Sequence, residues 1–354
     1  MSSKLIVLVT GATGYIGGSV LSQFLKRPDA SSFEYRAVVR SAEVAEKLKA
    51  FGVTPILGSH SDRELMVKEA SEADIVLAMA DADDLSATEA VLNGLKKRYE
   101  VTGKRPLLVH TSGTASDGNQ PSSKVYHDDD VAAIESVPAT NIHRHTDVPI
   151  ALADGEGMYP QCLCISKRVT HLDTGYVRTY IVVPSVVYGT ARNALVDAGI
   201  AKDSVFIFNF FGGIAIKRGQ GFTIASAGEN LWPCIHIDEL VDIYDRIFSA
   251  VLKDADGTPH GREGYYFGVS DDFKRFDLDA AIAKALSELG KAKSPEPTPL
   301  TQEEIDQYFG PLLGPIFASK MRVRANRAKK LGWKPTKTTK DFLATVKSEM
   351  ASRV

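Results

Sequence analysis

Leu5-Ile-Val-Leu-Val-Thr-Gly-Ala-Thr-Gly-Tyr-Ile-Gly17 is the stretch whose reading decides the fold of this 354-residue chain. Five consecutive apolar residues read as a strand buried on both faces, and the Thr-Gly-x-x-Gly-x-x-Gly run leads straight into a helix. Gly11 allows the tight bend out of the strand, Gly14 lets backbone approach a pyrophosphate, and Gly17 lets the helix pack closely. Free N–H groups at the helix start then face the anion. Ile16, Val20 and Phe24 form the core stripe of that helix, which Pro28 ends. The run predicts a dinucleotide site at the first turn of an α/β protein.

Outward from the turn, Tyr35-Arg-Ala-Val-Val-Arg40 reads as the second strand. An NAD-type unit ends this strand in an acid for the ribose hydroxyls, whereas Arg40 offers a fork to a 2′-phosphate, so NADP (NADPH) is the expected cofactor. Further strands are expected at 53–57, 74–80, 107–112 and 177–184, with helices at 43–51, 62–71 and 86–99 between the earlier ones. This alternation predicts a doubly wound parallel sheet, the Rossmann architecture, because parallel neighbours need long crossovers. Ala80 ends the fourth strand where a cofactor needs backbone close by. The acids of Asp81-Ala-Asp-Asp84 read as caps of the next helix in preference to metal ligands. The fifth strand runs out through Ser112, Gly113 and Thr114, at the edge where such sheets bind ligands. His143 and His145 lie in a polar segment, with Asp147 one helical turn beyond His143.

Past about residue 190 the alternation fades, and a small carboxy-terminal substrate-binding lobe is expected. The boundaries read as 1–190 for the Rossmann unit, with core elements continuing to about 270, and 191–354 for an interleaved lobe. Val205-Phe-Ile-Phe-Asn-Phe-Phe211 suits a substrate lid, the face of a homodimer, or a core.

A hydrophobic fraction of 44% supports a large core, and the longest apolar runs are strand-sized, so no membrane segment is expected. A formal charge of −2 with mixed signs gives no field for nucleic acid, which favours a small-molecule partner. Three cysteines, Cys162, Cys164 and Cys234, without a secretory leader point to reduced thiols in a cytoplasmic protein. Cys162-x-Cys164 with Cys234-x-His236 is too tightly spaced for zinc, and no metal centre is expected.

Taken together, Thr10-Gly-x-x-Gly-x-x-Gly17, Thr111-Ser-Gly-Thr114, Pro184-x-x-x-Tyr188-Gly189, Trp232-Pro-x-x-His236-Ile-Asp238, Arg262-Glu-Gly-Tyr-Tyr-Phe267 and Leu331-Gly-Trp333 resemble the short-chain dehydrogenase/reductase superfamily. The likeness is to its extended or atypical branch of epimerase/dehydratase-like proteins, and within it to an aldehyde-reductase-like subgroup of fungi and bacteria. The resemblance implies that Gly11, Thr13, Gly14, Tyr15, Ile16 and Gly17 hold the pyrophosphate and Arg40 the 2′-phosphate. It also implies that Ala80 lines the ribose path, Ser112 sits beside the nicotinamide, and Pro184 contacts the carboxamide.

The superfamily's Tyr-x-x-x-Lys signature is absent. Lys167 has Leu163 four residues before it, and Tyr159 stands eight residues away, about 12 Å along a continuous helix. Residues 158–175 read as an insertion whose removal joins Gly157 to Tyr176, and Lys167 falls inside it. The candidate catalytic residues are therefore Ser112, Thr114 and His143, with Lys167 as the remaining basic candidate. The expected activity is NADPH-dependent reduction of a small aldehyde or ketone. The alternatives are a sugar-nucleotide epimerase or dehydratase, with Arg192, Lys202, Lys217 and Arg218 as the cations near a diphosphate, and a non-catalytic NADP-binding sensor.

Overall fold

The computed structural model describes residues 4–114, 124–155, 175–203, 206–224 and 230–354. Its centre is a seven-stranded parallel sheet of β1 (Leu5–Thr10), β2 (Phe33–Val39), β3 (Thr54–Leu57), β4 (Ile75–Ala78), β5 (Leu107–Thr111), β6 (Arg178–Pro184) and β7 (Tyr265–Gly268). The spatial order is β7-β6-β5-β4-β1-β2-β3. The chain steps one way from β1 to β3, then returns to β4 and steps the other way. Strands Val7–Val9, Val76–Leu77 and Ile181–Val182 are at most 1% exposed, which is why they read as unbroken apolar runs without alternation.

Right-handed crossovers place the helices of the two halves on opposite faces of such a sheet. Helices α1 (Tyr15–Phe24) and α2 (Ala42–Lys49) belong to the first half, and α3 (Arg63–Glu72), α4 (Leu85–Thr102) and α5 (Arg144–Ala153) to the second. The point where strand order reverses lies between β1 and β4, at the glycine turn.

A second, three-stranded sheet is built from Val186–Tyr188, Leu231–His236 and Asp271–Lys274. It feeds α6 (Ile237–Lys253), whose apolar face packs on α1 through Phe248 and Phe24, rings 4.6 Å apart. Helices α7 (Arg275–Glu288), α8 (Gln302–Ala318) and α9 (Thr339–Ala351) complete an aromatic core of Phe208, Phe211, Trp232, Phe273 and Phe342. Tyr188 belongs to this core: it is fully buried and donates to Thr338 O at 3.1 Å.

The tail returns to the main sheet at two places. Val323–Arg324 pairs with Tyr126–His127, and the buried Asp128 carboxylate accepts from the N–H groups of Phe267, Asn326 and Arg327. The Leu331-Gly-Trp333 motif ends with Trp333 Nε1 donating to Glu239 O, 2.9 Å away at the start of α6. Gly175 N–H donates to Ala153 O at 3.0 Å, so the two flanks of residues 156–174 meet side by side. Among the described residues no helix is long and apolar enough to cross a membrane.

Candidate active site

Gly11 has φ +76°, and a Cβ there would lie 2.3 Å from Met79 O and 2.8 Å from Ala80 N. A Cβ on Gly17 would lie 2.3 Å from Gly11 O. The turn is therefore nested against the end of β4, with the backbone of Ala80 as its wall, and Thr10 Oγ1 holds Met79 N–H at 3.2 Å. Gly14 begins α1 without a side-chain cap, and no acid stands in the first turn. Helices α2, α3 and α4 are capped by Ser41, Asp62 and Asp84. The N–H groups of Tyr15, Ile16 and Gly17 have no acceptor within α1, and an anion at the turn would supply one. This cradle fits a pyrophosphate.

Thr13 sits in the turn, where its carbonyl accepts from Lys202 N–H at 3.2 Å. The Tyr15 hydroxyl donates to Gly189 O, and burial holds its pKa well above the usual phenol value. That phenol is neutral and already engaged, so it serves as a wall. Arg40 is exposed just past β2, whose register sets Ala37 beside Val9, and has no ion pair among the described residues.

The second group of residues gathers at the ends of β5 and β6. Ser112 and Thr114 continue the pairing, with N–H groups donating to Val182 O at 2.8 Å and Pro184 O at 2.9 Å. Ser112 Oγ donates to Asp147 Oδ2 at 2.9 Å, both groups buried. Burial pushes the Asp147 carboxyl up to about 7. Its other oxygen stands 3.9 Å from His110 Nε2, and neither atom has a hydrogen-bond partner among the described residues. Burial holds His110 down to about 4, so it is neutral near pH 7.

His143 N-caps α5 with φ +70°, the one left-handed residue other than glycine among those described. Such backbone costs of order 1–3 kcal/mol and persists only where neighbours hold it. Asp83 is the holder, with Oδ1 accepting from His143 N at 3.1 Å and lying 2.9 Å from its Nδ1. The carboxylate is an acceptor only, so Nδ1 carries the proton of the neutral ring and Nε2 is the atom that titrates. Nε2 lies across the end of β5, where a Cβ on Gly113 would meet it at 2.8 Å. Burial lowers the His143 pKa, opposed by Asp83.

Tyr15, Ile16, Asp83, Thr114, His143 and Pro184 share one cavity of about 440 Å³, whose far wall is Phe206, Ile207, Phe211, Trp232 and Phe317. No lysine or arginine is among the described residues that line it. Of the cations offered for a diphosphate, Arg218 is bound to Glu304 at 2.7 Å and Thr298 at 2.6 Å, and Arg192, Lys202 and Lys217 do not line the cavity. Lys167, with Cys162 and Cys164, lies outside the described residues. Cys234 is a buried strand residue whose thiol burial pushes up to about 12, and His236 Nδ1 accepts locally from Asp238 N–H at 3.2 Å.

The expectation that the acids at 81–84 cap the helix holds for Asp84, which accepts from Ala87 N–H at 2.9 Å. It fails for Asp83, which is spent on His143. A partner 60 residues away leaves no periodic signal, so spacing does not reveal the pair. His110 was visible only as one residue of an apolar strand, and its place beside Asp147 follows from the packing of α5.

The fold, a doubly wound parallel sheet of the Rossmann type, is shared with solved epimerases and dehydratases. Within the chain, residues 3–96 match the model of the NmrA-like family. The oxidase ucsJ of an Acremonium species is 26% identical over 93% of this chain and 92% of its own. The solved dTDP-glucose 4,6-dehydratase DesIV of Streptomyces venezuelae, with NAD bound, superposes with a TM-score of 0.58, 17% identity and coverage of 98% and 96%. The human epimerase family protein SDR39U1, with NADPH, gives 0.51, 17%, 99% and 100%.

Proposed function

We propose that the chain is an NADPH-dependent oxidoreductase that reduces the carbonyl of an aldehyde or ketone. The observation that carries this reading is the single cavity that joins the uncapped glycine turn to a polar edge of Thr114 and His143, with Ser112 beside them at the end of β5. In this reading Gly11, Thr13, Gly14, Ile16 and Gly17 hold the pyrophosphate through backbone, Arg40 takes the 2′-phosphate, Ala80 borders the ribose, and Pro184 borders the carboxamide. NADPH, when bound, supplies the hydride.

The chain's own work is to bind, orient and protonate. His143 in its charged form presents Nε2–H to the carbonyl oxygen, and its lowered pKa makes that proton easy to give. Ser112 donates a second hydrogen bond once Asp147 is protonated, because a neutral Asp147 can itself donate to Ser112 Oγ and free the hydroxyl proton. Asp147 lies in the first turn of α5, four residues after the His143 cap.

NADPH oxidation with a panel of carbonyl compounds tests the reading, alongside Arg40→Asp. The variant is expected to bind NADPH about 10- to 100-fold more weakly, the value of a lost charge-assisted pair, with no loss for NADH. Tight NADPH binding without oxidation on any carbonyl would establish the sensor alternative instead. The epimerase alternative draws on the fold likeness, and the absence of lysine and arginine among the described residues that line the cavity speaks against it.

A further inference from the structure

We infer that the substrate of this cavity is a flat, apolar aromatic carbonyl compound, in place of a short aldehyde or a sugar nucleotide. This rests on the reductase reading of the same site and goes beyond it in naming the substrate class. One edge of the cavity is polar, made by Asp83, Thr114 and His143, and the facing wall is aromatic. Trp232 and Phe317 lie 5.7 Å apart with planes only 30° from parallel, and Phe211 meets Phe317 edge-on at 5.2 Å. At the rim Phe206 is 67% exposed and stacked on Phe210, with ring centroids 5.3 Å apart.

Part of the 440 Å³ cavity lies at Tyr15 and Ile16 beside the glycine turn, where the cofactor would sit, which leaves the substrate the end bounded by the aromatic wall. Phe211 and Trp232 are already buried, so the aromatic surface left for a ligand to cover is that of Phe206 and the half-buried Phe317, and a fused ring covers more of it than a short aldehyde does. A diphosphate needs fixed cations, and none lines the cavity among the described residues. The cation nearest to the aromatic wall is Arg275, which is buried and bonded to Asp279 at 2.8 Å. Its guanidinium lies 3.8 Å from the Phe211 ring centre and 5.1 Å from Trp232, so its charge is directed onto the rings. Its Nη1 and Nη2 have no hydrogen-bond partner among the described residues, which makes a sugar nucleotide the arm that matters most in the test.

The full chain loaded with NADPH is titrated calorimetrically with 2-acetylnaphthalene, butanal and UDP-glucose, and NADPH oxidation is recorded separately. Acetylnaphthalene is expected to bind at least 100-fold more tightly than the other two. Phe317→Ala, and independently the rim variant Phe206→Ala, are expected to weaken it at least 10-fold with the NADPH dissociation constant within twofold of wild type. UDP-glucose binding as tightly as acetylnaphthalene, or two variants that bind acetylnaphthalene like wild type, overturns the inference. Tight aromatic binding without NADPH oxidation upholds the ligand class while removing the reductase reading. Reduction of butanal without aromatic binding does the reverse.

Discussion

In the proposed reading His143 is the proton donor to the carbonyl oxygen. Its left-handed backbone is held by Asp83, its Nδ1 by the same carboxylate, and its Nε2 lies against Gly113 at the edge of the cavity. Asparagine tolerates the same backbone region, so His143→Asn is expected to keep the fold and lower kcat by at least about 100-fold, the usual worth of a general acid. Steady-state kinetics with thermal unfolding as control check this. Asp147 makes a separate prediction. With its carboxyl at about 7 in the folded chain against about 3.9 unfolded, the folded state binds the extra proton between those values. Stability from this group is therefore full below about pH 4, falls as pH rises, and stays low above pH 7. Asp147→Asn removes the titration, so between pH 5 and 8 its unfolding free energy should gain roughly 2–3 kcal/mol relative to wild type in urea denaturation.

Helices set the geometry that these residues use. Helix α1 presents its uncapped start to the ligand edge, and its far end is fixed by α6 through Phe24, Phe33 and Phe248, with Arg27 over the Phe248 ring at 5.0 Å. Phe248→Ala opens this contact and should cost about 3–5 kcal/mol in denaturant unfolding, with weaker NADPH binding as the helix loosens. The element pattern was readable because each helix carries a local signal: Ser41, Asp62 and Asp84 cap α2, α3 and α4 where the periodicity begins. The aromatic run at 206–211 was not readable in the same way. It both enters the core, through Phe208 and Phe211, and lines the cavity, through Phe206, Ile207 and Phe211. Composition alone does not divide those roles.

At the scale of the whole molecule, the chain is wound so that late residues finish early structures. Residues 265–268 close the main sheet, 323–327 tie down Asp128, and Trp333 caps off the entry to α6. On either side of residues 156–174 the chain is joined by a backbone hydrogen bond, Gly175 N–H to Ala153 O at 3.0 Å. Deletion of 158–175, with Gly157 taking the place of Gly175, is expected to give a folded protein with unchanged NADPH affinity, checked by circular dichroism and fluorescence titration. Loss of the fold would mean that the stretch is integral.

The glycine turn and the parallel sheet were legible in the sequence, because each is written in neighbouring residues: a strand period, a turn, a cap. Only the tertiary structure decided which polar groups meet. Asp83 reaches His143, and Asp147 reaches Ser112 and His110, because α4 and α5 lie side by side at the ends of β4 and β5. Contacts across 35 or 60 residues depend on how helices are set upon a sheet, and no local pattern encodes that placement.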